Sequence, residues 1–320
     1  MNRILVLLVV LLAALAIPAA PAQLGATAAV FAGETLILGH QDGAVSLGSG
    51  VKARVFGPRA AIFRLAVQPH GDLLACASRE GVALISRGSG KVLMRMASAQ
   101  SPLAFTADGR TLVTTLRNGR GIQRWRVRPN GQATVSGADR RIGRVWDISS
   151  DGTLVAAAKG EWEIRLWSVA PARSLRTIKN GGMWGGITNV RFSPDGRVVL
   201  LMGSTISKPP DGVVVPYDTA TGKELGYCTV GNTSTNAAVS PDRALVAAVG
   251  ELEGEAALSV SSLSGGYKWG QNVFTQENRV PLGMSPVVTF SPDSTTLVTA
   301  GSGQPTRLWD AQSGTLKGTP

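Results

Sequence analysis

Apolar positions come in short bursts along this chain, separated by turn-forming residues at nearly regular intervals. Seven segments repeat one order: an apolar residue, small or polar residues, a turn, then an apolar run. The clearest are Phe192-Ser193-Pro194-Asp195-Gly196-Arg197-Val198 and Phe290-Ser291-Pro292-Asp293-Ser294-Thr295-Thr296-Leu297. Related segments start at Val30, Val67, Phe105, Ile148 and Val239. Pro presets φ for the first turn position, Asp caps locally, and Gly accepts positive φ. The turns centre on residues 33, 71, 109, 152, 196, 243 and 294, so the steps are 38, 38, 43, 44, 47 and 51 residues. The runs that follow, such as 73–77, 154–158, 198–202 and 245–249, are nearly all apolar and rich in β-branched residues. That pattern predicts strands covered on both faces. A period of this length corresponds to one four-stranded unit.

Two further landmarks follow each turn. One is a strand ending near an aromatic: Arg124-Trp125-Arg126, Leu166-Trp167-Ser168, Val215-Pro216-Tyr217-Asp218 and Leu308-Trp309-Asp310. The other is a Gly-bearing hairpin turn: Gly48-Ser49-Gly50, Gly88-Ser89-Gly90-Lys91, Pro129-Asn130-Gly131, Asp218 to Lys223, Ser262 to Gly265, and Asp310 to Thr315. Phe-Ser-Pro-Asp-Gly, Leu-Trp-Asp and Asp-x-x-Thr-Gly-Lys together resemble the WD-repeat β-propellers of the bacterial type. The resemblance covers roughly residues 28–320. It is strongest in repeats four, five and seven, and weakest in one and six. It implies an all-β fold, a single seven-bladed propeller of four-stranded antiparallel blades. The blades would span about 28–56, 62–96, 103–135, 144–178, 188–230, 236–275 and 287–319. The family's His–Ser/Thr–Trp–Asp tetrad is absent, because neither His40 nor His70 stands in the required place, and the resemblance rests on the other landmarks. With strands running from axis to rim and none exchanged, ring closure is expected to rest on contact between blades one and seven.

Residues 1–22 read as an address. Arg3 gives a positive start, 4–17 is an unbroken apolar run, and Ala20 and Ala22 suit cleavage before Gln23. The run is short for a membrane span, and no Cys follows it to carry a lipid. Residues 23–320 are thus expected as one exported domain, periplasmic or secreted, with no membrane span after cleavage. Two cysteines, Cys76 and Cys228, exclude a disulfide-rich scaffold and a four-Cys zinc site. The repeat register separates them, so two buried free thiols are expected despite the oxidising compartment.

Charge adds the least ordinary feature. The chain carries 32 Lys and Arg against 21 Asp and Glu, a formal net charge of +11. Between residues 110 and 144, nine arginines against the single Asp139 leave +8. The blade register puts Arg117 and Arg120 in one turn and Arg140, Arg141 and Arg144 in the next loop between blades, on one face. Trp162 and Trp184 fall on that face in the following turn and loop. Guanidinium groups recognise carboxylate and phosphate, and Trp and Arg dominate interface energetics. These seven residues are therefore the candidate partner-binding site.

Catalytic chemistry is not legible. His40 and His70 are expected at opposite ends of the ring, too far apart to share a metal or a triad. Gly88-Ser89-Gly90-Lys91 is not a phosphate loop, since Ile85 stands where that motif needs Gly and the strand–loop–helix context is lacking. Glu251, Glu253 and Glu255 read as a solvated loop. No cofactor and no metal ligand set is expected. The expected function is a non-enzymatic protein-interaction scaffold for a protein partner with acidic character. An anionic polymer or lipid is a further partner class, and export argues against nucleic acid. The alternative is a secreted propeller hydrolase, lyase or quinone-dependent dehydrogenase using the central channel.

Overall fold

Each apolar run forms the second strand of an antiparallel sheet, where both its faces are covered. The computed structural model describes residues 25–48, 51–57, 59–180, 184–252, 255–274, 286–301 and 304–320. The address segment, residues 1–22, lies outside them. Strands β1 (Ala26–Ala32), β2 (Thr35–His40), β3 (Ala44–Leu47) and β4 (Val51–Arg54) form the first sheet. The second holds β5 (Arg64–Val67), β6 (Leu73–Ser78), β7 (Gly81–Ser86) and β8 (Val92–Met96). A seven-stranded sheet follows: β9 (Ala99–Phe105), β10 (Thr111–Leu116), β11 (Arg120–Val127), β12 (Ala133–Ile148), β13 (Leu154–Ala158), β14 (Glu163–Val169) and β15 (Ala172–Lys179). Three more four-stranded sheets complete the chain. They are β16 (Trp184–Phe192) to β19 (Cys228–Thr229) through β17 (Val198–Thr205) and β18 (Gly212–Asp218); β20 (Thr233–Val239) to β23 (Tyr267–Phe274) through β21 (Leu245–Leu252) and β22 (Glu255–Ser262); and β24 (Val287–Phe290) to β27 (Leu316–Gly318) through β25 (Thr296–Gly301) and β26 (Gln304–Asp310). The described residues are all-β, with six antiparallel sheets and no helix.

The seven-stranded sheet is two four-stranded units sharing one strand. The first part of β12 pairs with β11, and residues 145–148 pair with β13. The loop expected between residues 135 and 144 is therefore absent, and Arg140, Arg141 and Arg144 stand on a strand. The reason is local. No Pro interrupts residues 133–148, and Gly143 takes up the change of direction at φ 81°.

The first strands of the units are neighbours in cyclic order: β1, β5, β9, β12, β16, β20, β24 and again β1. The core lies between units rather than within them. Val45 and Ile37 meet Leu74 and Ile85 of the next sheet, and Ile164 and Leu166 meet Val199 and Leu201. Burying one such side chain stabilises by about 1.5–3 kcal/mol. Seven clusters of this kind occur among the described residues, one at each junction. The smallest joins Ala26 to Val287 and Ala300, where the first and last sheets meet. Cys76 and Cys228 are buried and unpaired, and burial pushes the Cys228 thiol up to about 12.

The repeated turn is a small polar device. In four units a Ser hydroxyl donates to the Asp two residues on, at 2.5–2.6 Å, and accepts the N–H five residues on, at 2.9 Å. The Asp accepts the N–H two residues further, at 3.0–3.1 Å. The Ser291 hydroxyl and the Thr295 donors hold Asp293 down at about 2. The next residue takes positive φ: Gly152, Gly196, Arg243 and Ser294. The second repeat differs from its sequence register. His70, not Gly71, has positive φ (54°), because Gln68 replaces the Ser and accepts the Leu73 N–H.

Two tryptophans anchor their sheets through the indole. Trp125 Nε1 donates to Thr114 at 3.0 Å, and Trp309 Nε1 to Thr299 at 2.8 Å. Trp167 sits at the matching position, but Ala157 replaces the Thr, and its Nε1 is buried without an acceptor. Ala157→Ser supplies that acceptor. It should raise stability by about 1 kcal/mol, the usual worth of a satisfied buried donor, read as a higher thermal midpoint; Ala157→Val should not. The turns give a second expectation. A Cβ on Gly109 would sit 2.7 Å from the Pro69 carbonyl, whereas one on Gly196 meets only Ser149 Cβ at 3.5 Å. Gly109→Ala should therefore cost about 2 kcal/mol and Gly196→Ala about 1, ranked by thermal unfolding.

Candidate functional site

Two concentrations of polar chemistry stand out. The first is the arginine-rich end of the shared sheet. Arg117 lies in the β10–β11 turn and Arg120 begins β11; both are exposed. Arg144 of β12 faces Arg120 directly across the ladder. Like charges placed opposite each other destabilise a sheet. The Arg144 guanidinium stacks 4.5 Å from the Trp146 ring centroid, which relieves one side of that repulsion. Arg140 is exposed and, like Arg117, Arg120 and Arg144, takes part in no ion pair among the described residues.

Arg141 behaves differently. Its guanidinium closes on Asp139 at 2.5 and 3.1 Å, and its N–H donates to the same carboxylate. This partner holds the Asp139 carboxyl below the usual carboxylate range. The pair staples the crossover in β12, so Arg141 is a poorer candidate for outside contact than its neighbours. Arg124 is likewise committed, donating to the Val169 carbonyl of β14 at 2.7 Å.

The tryptophans lie one unit further on. Trp162 is 41% exposed in the β13–β14 turn, where its carbonyl accepts the Asn180 N–H at 2.9 Å. Trp184 begins β16 opposite Thr205. Arg117, Arg120, Arg140 and Arg144 thus gather on two adjoining segments, and Trp162 occupies the equivalent turn of the next unit.

The second concentration was missed in the sequence. A central cavity of about 690 Å3 is lined by the first strands of all seven units. Three charged side chains line it: Arg64 of β5, Asp147 of β12 and Arg191 of β16. Asp147 is 1% exposed, forms an ion pair with Arg64, and accepts the Phe192 N–H at 2.9 Å. Arg64 and Asp147 stand on units separated by β9. Burial pushes the Asp147 carboxyl above its ordinary range, against the pull of Arg64 and two backbone N–H groups. Arg191 donates Nε to Asn236 at 3.3 Å, and Asn189 donates to the Thr235 carbonyl at 3.0 Å.

A signal for these residues exists in the repeat register. Five residues before the turn centre, five repeats carry Ala or Thr, while the other two carry Asp147 and Arg191. Seven before it, four carry Ala, Pro or Val, while three carry Arg64, Asn189 and Asn236. Charged and amide side chains near the crowded axis break the pattern, and residues two apart share a strand face.

His40 ends β2 and exchanges a 2.7 Å hydrogen bond with Ser46, whereas His70 is in the β5–β6 turn. Glu251 lies near the end of β21 and Glu255 begins β22, while Glu253 falls outside the described residues. No group of three His, Cys, Asp or Glu among the described residues could hold a metal ion. No protein-family model and no curated protein matches the chain.

Removing Arg64 should expose the balance around Asp147. An uncompensated buried carboxylate costs about 3–5 kcal/mol, so Arg64→Met should lose about that much stability at neutral pH. The loss should shrink in acid. Protonation favours a buried carboxyl whose folded pKa lies above its ordinary 3.8. The variant's stability is thus fullest below the unfolded pKa and falls as pH rises through the folded one. Thermal midpoints of both proteins across pH 4 to 7 check this.

Proposed function

We propose that the chain is an exported seven-bladed β-propeller of the WD-repeat type. Four-stranded units in cyclic neighbour order support the propeller reading, with the shared sheet counting as two blades. The Trp–Thr hydrogen bonds of β10–β11 and β25–β26 support the WD-repeat reading, since they form half of that family's tetrad. Residues 1–22 direct the chain out of the cytoplasm in this reading.

The protein acts as a non-enzymatic platform whose basic end binds an acidic protein. One observation carries this: Arg120 and Arg144 face each other across the β11–β12 ladder without a carboxylate partner. A carboxylate-bearing partner would relieve the repulsion and accept bidentate hydrogen bonds. Arg117 and Arg140 extend the same surface. The exposed Trp162 offers an apolar anchor beside it.

Crosslinking in the native cells, followed by purification of the tagged protein, should recover an acidic protein at near-stoichiometric amount. Arg120→Glu with Arg140→Glu should abolish that recovery and flatten the salt dependence of the purified complex. Arg120→Glu alone should raise the thermal midpoint, because it turns a like-charge pair into an opposite one. Unchanged recovery and salt slope in the double variant overturn the assignment. Retention on an acidic polysaccharide column without any protein partner moves the site to an anionic polymer, and binding to anionic vesicles moves it to lipid.

A further inference from the structure

We infer that the central cavity is a binding site for a small monocarboxylate with an apolar body, held by Arg191. This site is independent of the basic end of the shared sheet.

The inference starts from charge. Among the described residues, the charged side chains lining the cavity are Arg64, Arg191 and Asp147, which leaves one positive charge in excess. Arg64 and Asp147 neutralise each other. The uncompensated charge is therefore that of Arg191. It takes part in no ion pair among the described residues, and its one hydrogen bond runs from Nε to Asn236.

Asn236 is built to hold that guanidinium. It is 7% exposed, donates Nδ2–H to the Pro286 carbonyl at 2.9 Å, and accepts the Ala237 N–H at 3.0 Å. Its oxygen is thereby fixed in place to receive Arg191 Nε. Holding Nε leaves the two terminal nitrogens of Arg191 for another acceptor. A planar carboxylate matches such a fork in two parallel hydrogen bonds. An arginine held by a buried amide rather than by a carboxylate keeps its full charge for a ligand.

The walls define the remainder of the ligand. Phe31, Phe63, Val67, Trp146 and Phe192, each at least partly exposed, also line the cavity. Its volume of about 690 Å3 lies in the range of small-molecule sites, which combine apolar walls with a few fixed polar groups. A second carboxylate on the ligand would bring a like charge toward Asp147, whose own charge Arg64 already balances. One carboxylate on a branched or aromatic body fits both the charge and the walls.

The test is calorimetric titration of the full chain with phenylacetate, phenylacetamide and inorganic phosphate. The expected result is phenylacetate binding with a dissociation constant below about 1 mM and no measurable binding of the amide. Arg191→Lys keeps the charge and loses the fork, and should weaken phenylacetate about tenfold or more. Lys52→Gln, at an exposed position of β4, should leave it unchanged. Absence of phenylacetate binding by the folded wild-type protein overturns the inference, as does equal binding of acid and amide. Phosphate binding as tight as phenylacetate overturns the carboxylate assignment. The acid–amide comparison uses the unaltered protein, so it decides the matter even if the Arg191 variant fails to fold.

Discussion

Each sheet in this molecule has two apolar faces, and each must be covered twice. Strand β6 is buried throughout, and β17 and β21 over residues 198–203 and 245–250, so no sheet could stand alone in water. A row of such sheets would always leave two end faces exposed. Arranging the first strands in a closed circuit removes both. The junction that closes it joins the first and last sheets, and it is the thinnest among the described residues: Ala26, Val287 and Ala300, with Ala29 and Leu38 alongside. Among the described residues, no strand from the first sheet completes the last or the reverse. Closure there rests on the side chains that the first and last sheets bring to one seam rather than on a shared ladder.

Closing the ring crowds the axis, and that crowding dictates which residues the first strands carry. Most repeats place Ala or another small residue at the position five before the turn. Asp147 is an exception that burial alone would reject. It persists because Arg64 reaches it from two units away, past the inner strand that carries Pro102 and Ala104. Its other oxygen accepts the Phe192 N–H of the following unit. One carboxylate thus ties three units. A buried ion pair adds little net stability over well-packed apolar residues. What it contributes is register: the pair can form only when units two and four stand in one relative position.

The repeat was legible because its turn is encoded in side-chain chemistry rather than in hydrophobicity. Ser or Thr, then Asp, then a residue of positive φ make the same hydrogen bonds wherever they occur. The register slipped by one at His70, where Gln68 performs the Ser role from a longer side chain that no motif of short polar residues would flag. The continuous β12 was hidden for a different reason. Residues 135–144 are polar and charged, which reads as a loop, yet nothing in them forbids extended backbone. The basic end was legible as a charge count, but the division of labour within it was not. Only geometry shows Arg141 bound to Asp139 and Arg124 bound to a carbonyl, while Arg120 and Arg144 stand opposed. The cavity went unread because its charged and amide residues come from four separate repeats, one or two at a time.

The continuity of β12 also bears on how the basic end can act. Arginines on a mobile loop lose rotamer and backbone freedom when a partner binds, and that ordering weakens association. Here the backbone of Arg120 and Arg144 is already fixed in a ladder, and the Asp139–Arg141 pair pins the crossover between them. The Arg144 guanidinium is further confined against Trp146. The repulsion between Arg120 and Arg144 is accepted at folding, offset by the burial that the two joined units share. A partner carboxylate placed between them then meets donors that need little reordering. Charge alone would make this end attractive to any polyanion; on the proposed reading, two arginines on a fixed ladder would favour a carboxylate that can reach both.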